Sequence, residues 1–118
     1  PYTEVKRFDW MRGYHVGGRS IMWGRQSYRW SPLDFEANAK DGFGVDWPVR
    51  YNEIAPWYDY VEQYIGVSGQ NEGLGILPDG KFLPPMELNC VEVDLKKSMK
   101  DKFGRMLTIG RVAHTTAA

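Results

Sequence analysis

The residues with the most chemical potential lie in one run, His15-Val16-Gly17-Gly18-Arg19-Ser20-Ile21-Met22-Trp23-Gly24. Two adjacent glycines remove two Cβ atoms. A flat ligand or a pyrophosphate can then lie against the main chain and accept its N–H groups. Ser20 adds a hydroxyl donor, Arg19 a cation and Trp23 an aromatic wall, with Met22 and Gly24 completing the run. Standing alone, a glycine pair is more often a tight turn than a ligand cradle.

The other reactive side chains offer little. His15 and His114 are the two histidines, and neither has a neighbour that marks a general base; His15 precedes a turn, where a packed or capping ring is the usual role. His114 reads as a loop residue. No catalytic residue is assigned. The single cysteine, Cys90, leaves no cysteine cluster for zinc, and no metal site is expected. Fifteen basic and fifteen acidic residues cancel, so no net field draws in nucleic acid. No apolar run approaches the roughly 20 residues that span a bilayer.

Several elements must position the run. Val5 to Trp10 is expected as a short strand, and the glycine-bearing stretch Gly13 to Gly24 as loop. Ser31-Pro32-Leu33-Asp34 offers a capping hydroxyl, proline at the first helical position and an acid at the third, so a helix should run from Pro32 to about Ala39 and stop at Asp41-Gly42. Trp47-Pro48 imposes an extended backbone before a single turn over Tyr51 to Ala55. Pro56 then restarts a helix with Trp57, Val61, Tyr64 and Ile65 on one aromatic face, Glu62 on the other side and Gly66 as the stop. Helical spacing favours Trp57 and Tyr58 as core scaffold over sugar-stacking residues.

Residues 66–85 hold five glycines and three prolines and read as a long irregular excursion. A lid, an interface to another subunit and a plain surface loop are the readings it allows. Asn89-Cys90-Val91-Glu92 is a capping box, followed by Val91, Leu95, Met99 and Phe103 at four-residue steps and a helix end at Gly104. Lys96, Lys97, Lys100 and Lys102 read as a solvated face. Met106 to Val112 alternates as a strand.

Five tryptophans, seven tyrosines and five phenylalanines are a heavy aromatic load, and every tryptophan lies between Trp10 and Trp57. Each buried ring removes about 150 to 250 Å² from water. Some of these rings are expected to face something outside the chain. With no initiator methionine before Pro1, the chain is expected to be an internal section of a longer polypeptide, unstable alone.

Val-Gly-Gly-x-Ser with Trp23, then Arg29, Pro32-x-Asp34-Phe35, Gly44-x-Asp46-Trp47-Pro48, Ile54-x-Pro56-Trp57-Tyr58 with Glu62, and Gly66-Val67-Ser68-Gly69 follow in order. This series resembles the glucose-methanol-choline oxidoreductases, above all their sugar-oxidising branch: pyranose oxidases and the large subunits of gluconate and fructose dehydrogenases. The likeness covers Arg12 to Gly69, with Leu77-Pro78-Asp79-Gly80 continuing it more loosely. It implies a flavoprotein that oxidises a CH–OH group of a sugar or related alcohol by hydride transfer to flavin N5, while a histidine outside this chain takes the proton.

The resemblance assigns Gly17, Gly18, Arg19, Ser20, Met22, Trp23 and Gly24 to cofactor binding, with the glycine–serine loop against the isoalloxazine and pyrophosphate. Met22 stands where pyranose oxidase has a histidine covalently bonded to the flavin, and a thioether cannot form that bond, which implies non-covalent FAD. Arg19 departs from the family's usual small residue. The expected fold class is mixed α/β (α+β in this segment), part of an FAD-binding Rossmann-like domain leading into a substrate domain. Residues 1–50 are the flavin-contacting segment, and 51–118 the helical and loop segment.

The G-x-G-x-x-G fingerprint is absent from this chain and precedes the corresponding region in the family. The implied partners are the remainder of the same polypeptide, the sugar or alcohol, and an electron-accepting subunit or cytochrome. Periplasm and cytoplasm are both compatible locations. The alternative is a non-catalytic, aromatic-rich carbohydrate-binding or interaction module whose glycine loop is only a turn.

Overall fold

The computed structural model describes residues 3–9 and 12–116. Among them the chain is mixed α/β, in the order α1 (Arg19–Met22), α2 (Pro32–Asp41), α3 (Tyr51–Ile65), β1 (Val67–Ser68), α4 (Cys90–Phe103) and β2 (Val112–Ala113). The two strands pair antiparallel, Val67 opposite Ala113 and Ser68 opposite Val112. Single bridges add Gln26 to Val112 and Ser68 to Leu83, so four distant segments meet at this small sheet. Val67 and Ser68 are fully buried there.

Local chemistry sets the helix ends. Asp34 reaches back to accept from the Ser31 backbone N–H at 2.7 Å and from its hydroxyl at 2.8 Å. Those bonds, backbone first, hold the Asp34 carboxyl below its ordinary range. At the far end Gly42 takes a left-handed φ of 66°. Asn89 and Glu92 exchange reciprocal bonds of 3.0 and 2.8 Å at the start of α4, and Gly104 closes it at φ 60°.

Between α2 and α3 lies an edge-on aromatic cluster. Trp30 meets Phe35 at 5.9 Å and Trp47 at 5.7 Å, and Phe35 meets Tyr51 at 6.4 Å. Phe35 is its buried centre.

Five expectations change. Residues 3–9 form no strand, and Trp10 lies outside the described residues. The glycine stretch is not all loop, because residues 19–22 close one helical turn as α1. Pro56 does not divide two helices: α3 runs through it without the Pro56 hydrogen bond, its start held by the capping bond of 2.7 Å from the Arg50 N–H to Glu53. The strand expected over Met106 to Val112 shrinks to Val112–Ala113, where partners exist.

The fifth concerns the face of α3. Trp57 is 67% exposed and Tyr64 80%, whereas Glu62 is 6% exposed. A buried charge pair, described below, sets the rotation of α3 in place of its aromatic stripe.

Candidate functional site

Gly17 and Gly18 both take left-handed backbone, at φ 102° and 53°. An added Cβ at Gly17 would come within 2.5 Å of Ile21 Cδ1, the end of an exposed side chain that would have to swing aside, so the positive φ is what demands glycine there. Gly18 is the reverse case. Nothing lies within 4 Å of where its Cβ would sit, so its main chain faces open space.

The turn is held from within. The Ser20 N–H donates to Gly17 O at 3.3 Å and the Trp23 N–H to Arg19 O at 2.9 Å. The His15 ring Nε2 sits 3.2 Å from Gly18 O, where it caps the turn. That contact agrees with a packing role and against a general base. Gly13, which residue type alone did not single out, matters because a Cβ there would overlap the His15 ring and Met22 Sδ.

An open cleft of about 520 Å³ adjoins this turn, lined by Phe8, Asp9, Arg12, Gly13, Gly18, Arg19 and Met22. Of the residues assigned to cofactor binding, it brings together Gly18, Arg19 and Met22. Gly17, Ser20, Trp23 and Gly24 lie outside its lining; Gly17 shapes the turn, while Trp23 and Gly24 lead away from it. The Gly24 backbone is also open on the side a Cβ would occupy. Bare backbone and two arginines beside a cleft fit a planar group carrying phosphates.

Beyond Gly24 the chain is anchored. The Ala113 N–H donates to Arg25 O at 2.8 Å and the Ser27 N–H to Arg111 O at 3.0 Å. Arg29 then enters a buried ion cluster. Its Nε donates to Glu62 Oε1 at 3.0 Å and its Nη2 to Glu62 Oε2, a two-pronged pairing. Nη2 also reaches Asp59 at 2.8 Å, and Nη1 donates to the Tyr51 hydroxyl at 3.1 Å. Burial works against the Arg29 charge, but the bonds to Glu62, Asp59 and Tyr51 outweigh it and raise the guanidinium above its ordinary range.

A second buried guanidinium, Arg111, lies 4.5 Å over the Phe82 ring and donates to Pro78 O at 2.7 Å and Leu77 O at 3.3 Å. Burial lowers it, opposed by the charges of Glu62 and Asp79. Arg111 had no signal in the sequence. Arg29 and Glu62 did, as members of the ordered series, but not as partners.

The excursion at 66–85 is ordered by its own side chains. Asp79 accepts from the Glu72 and Gly73 N–H groups at 2.9 and 3.2 Å, and Asn71 accepts from the Gly80 N–H at 3.0 Å.

The proteins this chain is similar to are oxidases and dehydrogenases. Paromamine 6'-oxidase of Streptomyces fradiae is 38% identical over 104 residues, covering 85% of this chain and 19% of that protein. The fructose dehydrogenase large subunit of Gluconobacter japonicus is 38% identical over 56 residues, 48% of this chain and 10% of that one. The 2-methyl-1,2-propanediol dehydrogenase of Mycolicibacterium austroafricanum is 35% identical over 57 residues, 47% and 10%. The chain thus spans about a fifth or less of the length of these relatives. No family model matches it.

Proposed function

We propose that this chain is the flavin-contacting section of a glucose-methanol-choline type oxidoreductase that acts on a CH–OH group of a sugar or related alcohol. The observation that carries the reading is the glycine pair. Its left-handed backbone leaves the Gly18 main chain bare beside a cleft that also holds Arg19 and Met22. The likeness to enzymes named paromamine 6'-oxidase, fructose dehydrogenase large subunit and 2-methyl-1,2-propanediol dehydrogenase supports the same class.

In this reading FAD, when bound, supplies the two-electron acceptor for the alcohol carbon's hydride. The chain's own residues hold it and shape its surroundings. Gly17 and Gly18 let the ring approach the backbone, Arg19 offers its charge to the phosphates, and Ser20 offers a hydroxyl. Met22, Trp23 and Gly24 complete the contact segment. Met22 cannot bond covalently to the flavin as a histidine can, so the cofactor is held non-covalently. Residues 1–50 belong to a Rossmann-like FAD-binding domain, and 51–118 lead toward the substrate domain. The rest of the same polypeptide supplies the dinucleotide fingerprint and the catalytic base, and an electron-accepting subunit or cytochrome takes the electrons.

The test is simple. The protein purified from its own gene should be yellow, and acid precipitation should leave the flavin in the supernatant. Flavin that stays with the denatured polypeptide contradicts non-covalent binding. A colourless protein that takes up no added FAD contradicts the flavoenzyme reading.

A further inference from the structure

The Arg29–Glu62 pair sits under the excursion. A Cβ at Gly80 would come within 2.5 Å of both Arg29 Nη2 and Glu62 Oε2, and within 2.7 Å of Phe82 Cζ. The Gly80 backbone is therefore pressed directly onto the ion pair. One step away, a Cβ at Gly69 would meet Arg111 Cγ at 3.0 Å and Phe82 Cγ at 3.2 Å. Two buried guanidinium groups thus underlie the two ends of the excursion, one pressed by the Gly80 backbone and the other packed closely against Gly69.

The same cluster holds the strand that leaves the glycine turn. Arg29 ends the segment 25–29, whose backbone is paired with residues 111–113. Residues 111–113 in turn pair with Val67 and Ser68, and Ser68 bridges to Leu83. Segment 25–29 and the excursion therefore share one buried support, in which Glu62 is the acceptor common to Arg29 Nε and Nη2.

We infer that Glu62 is a positioning residue: through Arg29 and Gly80 it locks segment 25–29 and residues 69–83 into a single rigid unit, so that the excursion is a fixed wall and not a lid. A moving lid needs a segment whose bonds are few and solvent-exposed. Here the Gly69 N–H donates to Leu83 O at 3.2 Å, the Leu83 N–H to Val67 O at 2.8 Å, and Arg111 holds the carbonyls of residues 77 and 78. This inference rests on the geometry alone and does not depend on the bound cofactor.

Amide hydrogen exchange on the whole protein tests it. In the wild type, the bonded amides of Gly69, Glu72, Gly73, Leu77, Gly80 and Leu83 should be protected and should change little when an alcohol or sugar is added. Glu62→Gln removes the two-pronged buried partner of Arg29 and leaves only the part-exposed Asp59 as its counter-charge. It should accelerate exchange on the order of a hundredfold at Ser27, Ala113, Gly69 and Leu83 together, the loss of one partner of a buried pair read as local opening. The last turn of α4, which lies outside the unit, should exchange as before.

Gly80→Ala keeps both charges and pushes a methyl onto the pair from the loop side. It should give the same joint change, and it serves if the Gln variant does not fold. Acceleration in only one of the two segments, a uniform rise throughout the chain, or wild-type exchange of the bonded amides of 69–83 at unprotected rates would each overturn the inference. Flavin affinity is a separate readout, so a failure of the flavoenzyme reading leaves this result standing.

Discussion

Glycine at position 17 is demanded by its φ of 102°, with the exposed end of the Ile21 side chain able to move aside, and at position 18 the space is open and the backbone alone objects. Both positions should therefore resist substitution. Gly17→Ala has to shift the turn itself, and is expected to weaken FAD binding about tenfold or more, the equivalent of the roughly 1–2 kcal/mol cost of a left-handed non-glycine residue. Gly18→Ala meets no neighbour but must hold φ 53° with ψ −133°, a pairing that L-residues avoid, so it too should weaken FAD binding about tenfold or more. A flavin fluorescence titration of both variants measures this, and unchanged affinity in either would contradict the backbone account.

Asp34 gives a pH prediction at the same scale. Its folded pKa lies below the ordinary 3.8, so its contribution is fully present above 3.8 and is lost as the pH falls through the lower folded value. The start of α2 is expected to fray only in that acidic window, seen as loss of the Asp34 and Phe35 amide shifts characteristic of a capped helix. Fraying near neutral pH would contradict this capping account.

Helix α4 shows what local pattern can specify. Its capping box, lysine-rich last turn and terminal glycine appear in the structure as the sequence suggests, while its apolar positions Val91, Leu95 and Phe103 stay exposed. Asn89→Ala should cost about 1 kcal/mol, measured by denaturant unfolding of the whole protein, because the bond to the Glu92 N–H is lost. Helix α3 shows where local pattern fails. Period alone points Trp57 and Tyr64 inward, yet they are exposed and Glu62 is buried. The deciding partner, Arg29, is 33 residues away, and no window of helical length contains both. The strand expected over Met106 to Val112 fails for a related reason. Alternation marks a chain that can pair, while the neighbour is supplied by tertiary structure. Within the site, the glycine pair was legible because backbone freedom is a property of residue type. The Arg111–Phe82 stack was not, since nothing near position 111 signals burial.

At the scale of the molecule, surface is the dominant fact. A compact monomer of 13.6 kDa exposes about 6,600 Å², and a compact domain of this length has a radius of gyration near 13.5 Å. This chain exposes 9708 Å² and has a radius of gyration of 18.7 Å. Among the described residues the buried apolar side chains are Phe35 and Val67, while Trp57, Tyr60 and Tyr64 lie open along α3. The excess area, roughly 3,000 Å², is several times the ~800 Å² per partner of an ordinary protein contact. It is of the size expected where a domain is covered by neighbouring chain. Expressed alone, residues 1–118 should bind a hydrophobic dye such as ANS and melt without a sharp transition. A cooperative melt with no dye binding would mean that the exposed faces need no cover.

No helix among the described residues is long and apolar enough to cross a membrane.

A density map of the flavin-loaded protein decides the central question. The isoalloxazine should lie in van der Waals contact with the backbone at Gly17–Gly18, with no covalent bond to Met22. A ring lying clear of that turn, or density continuous from the flavin into a side chain of this chain, would contradict the account.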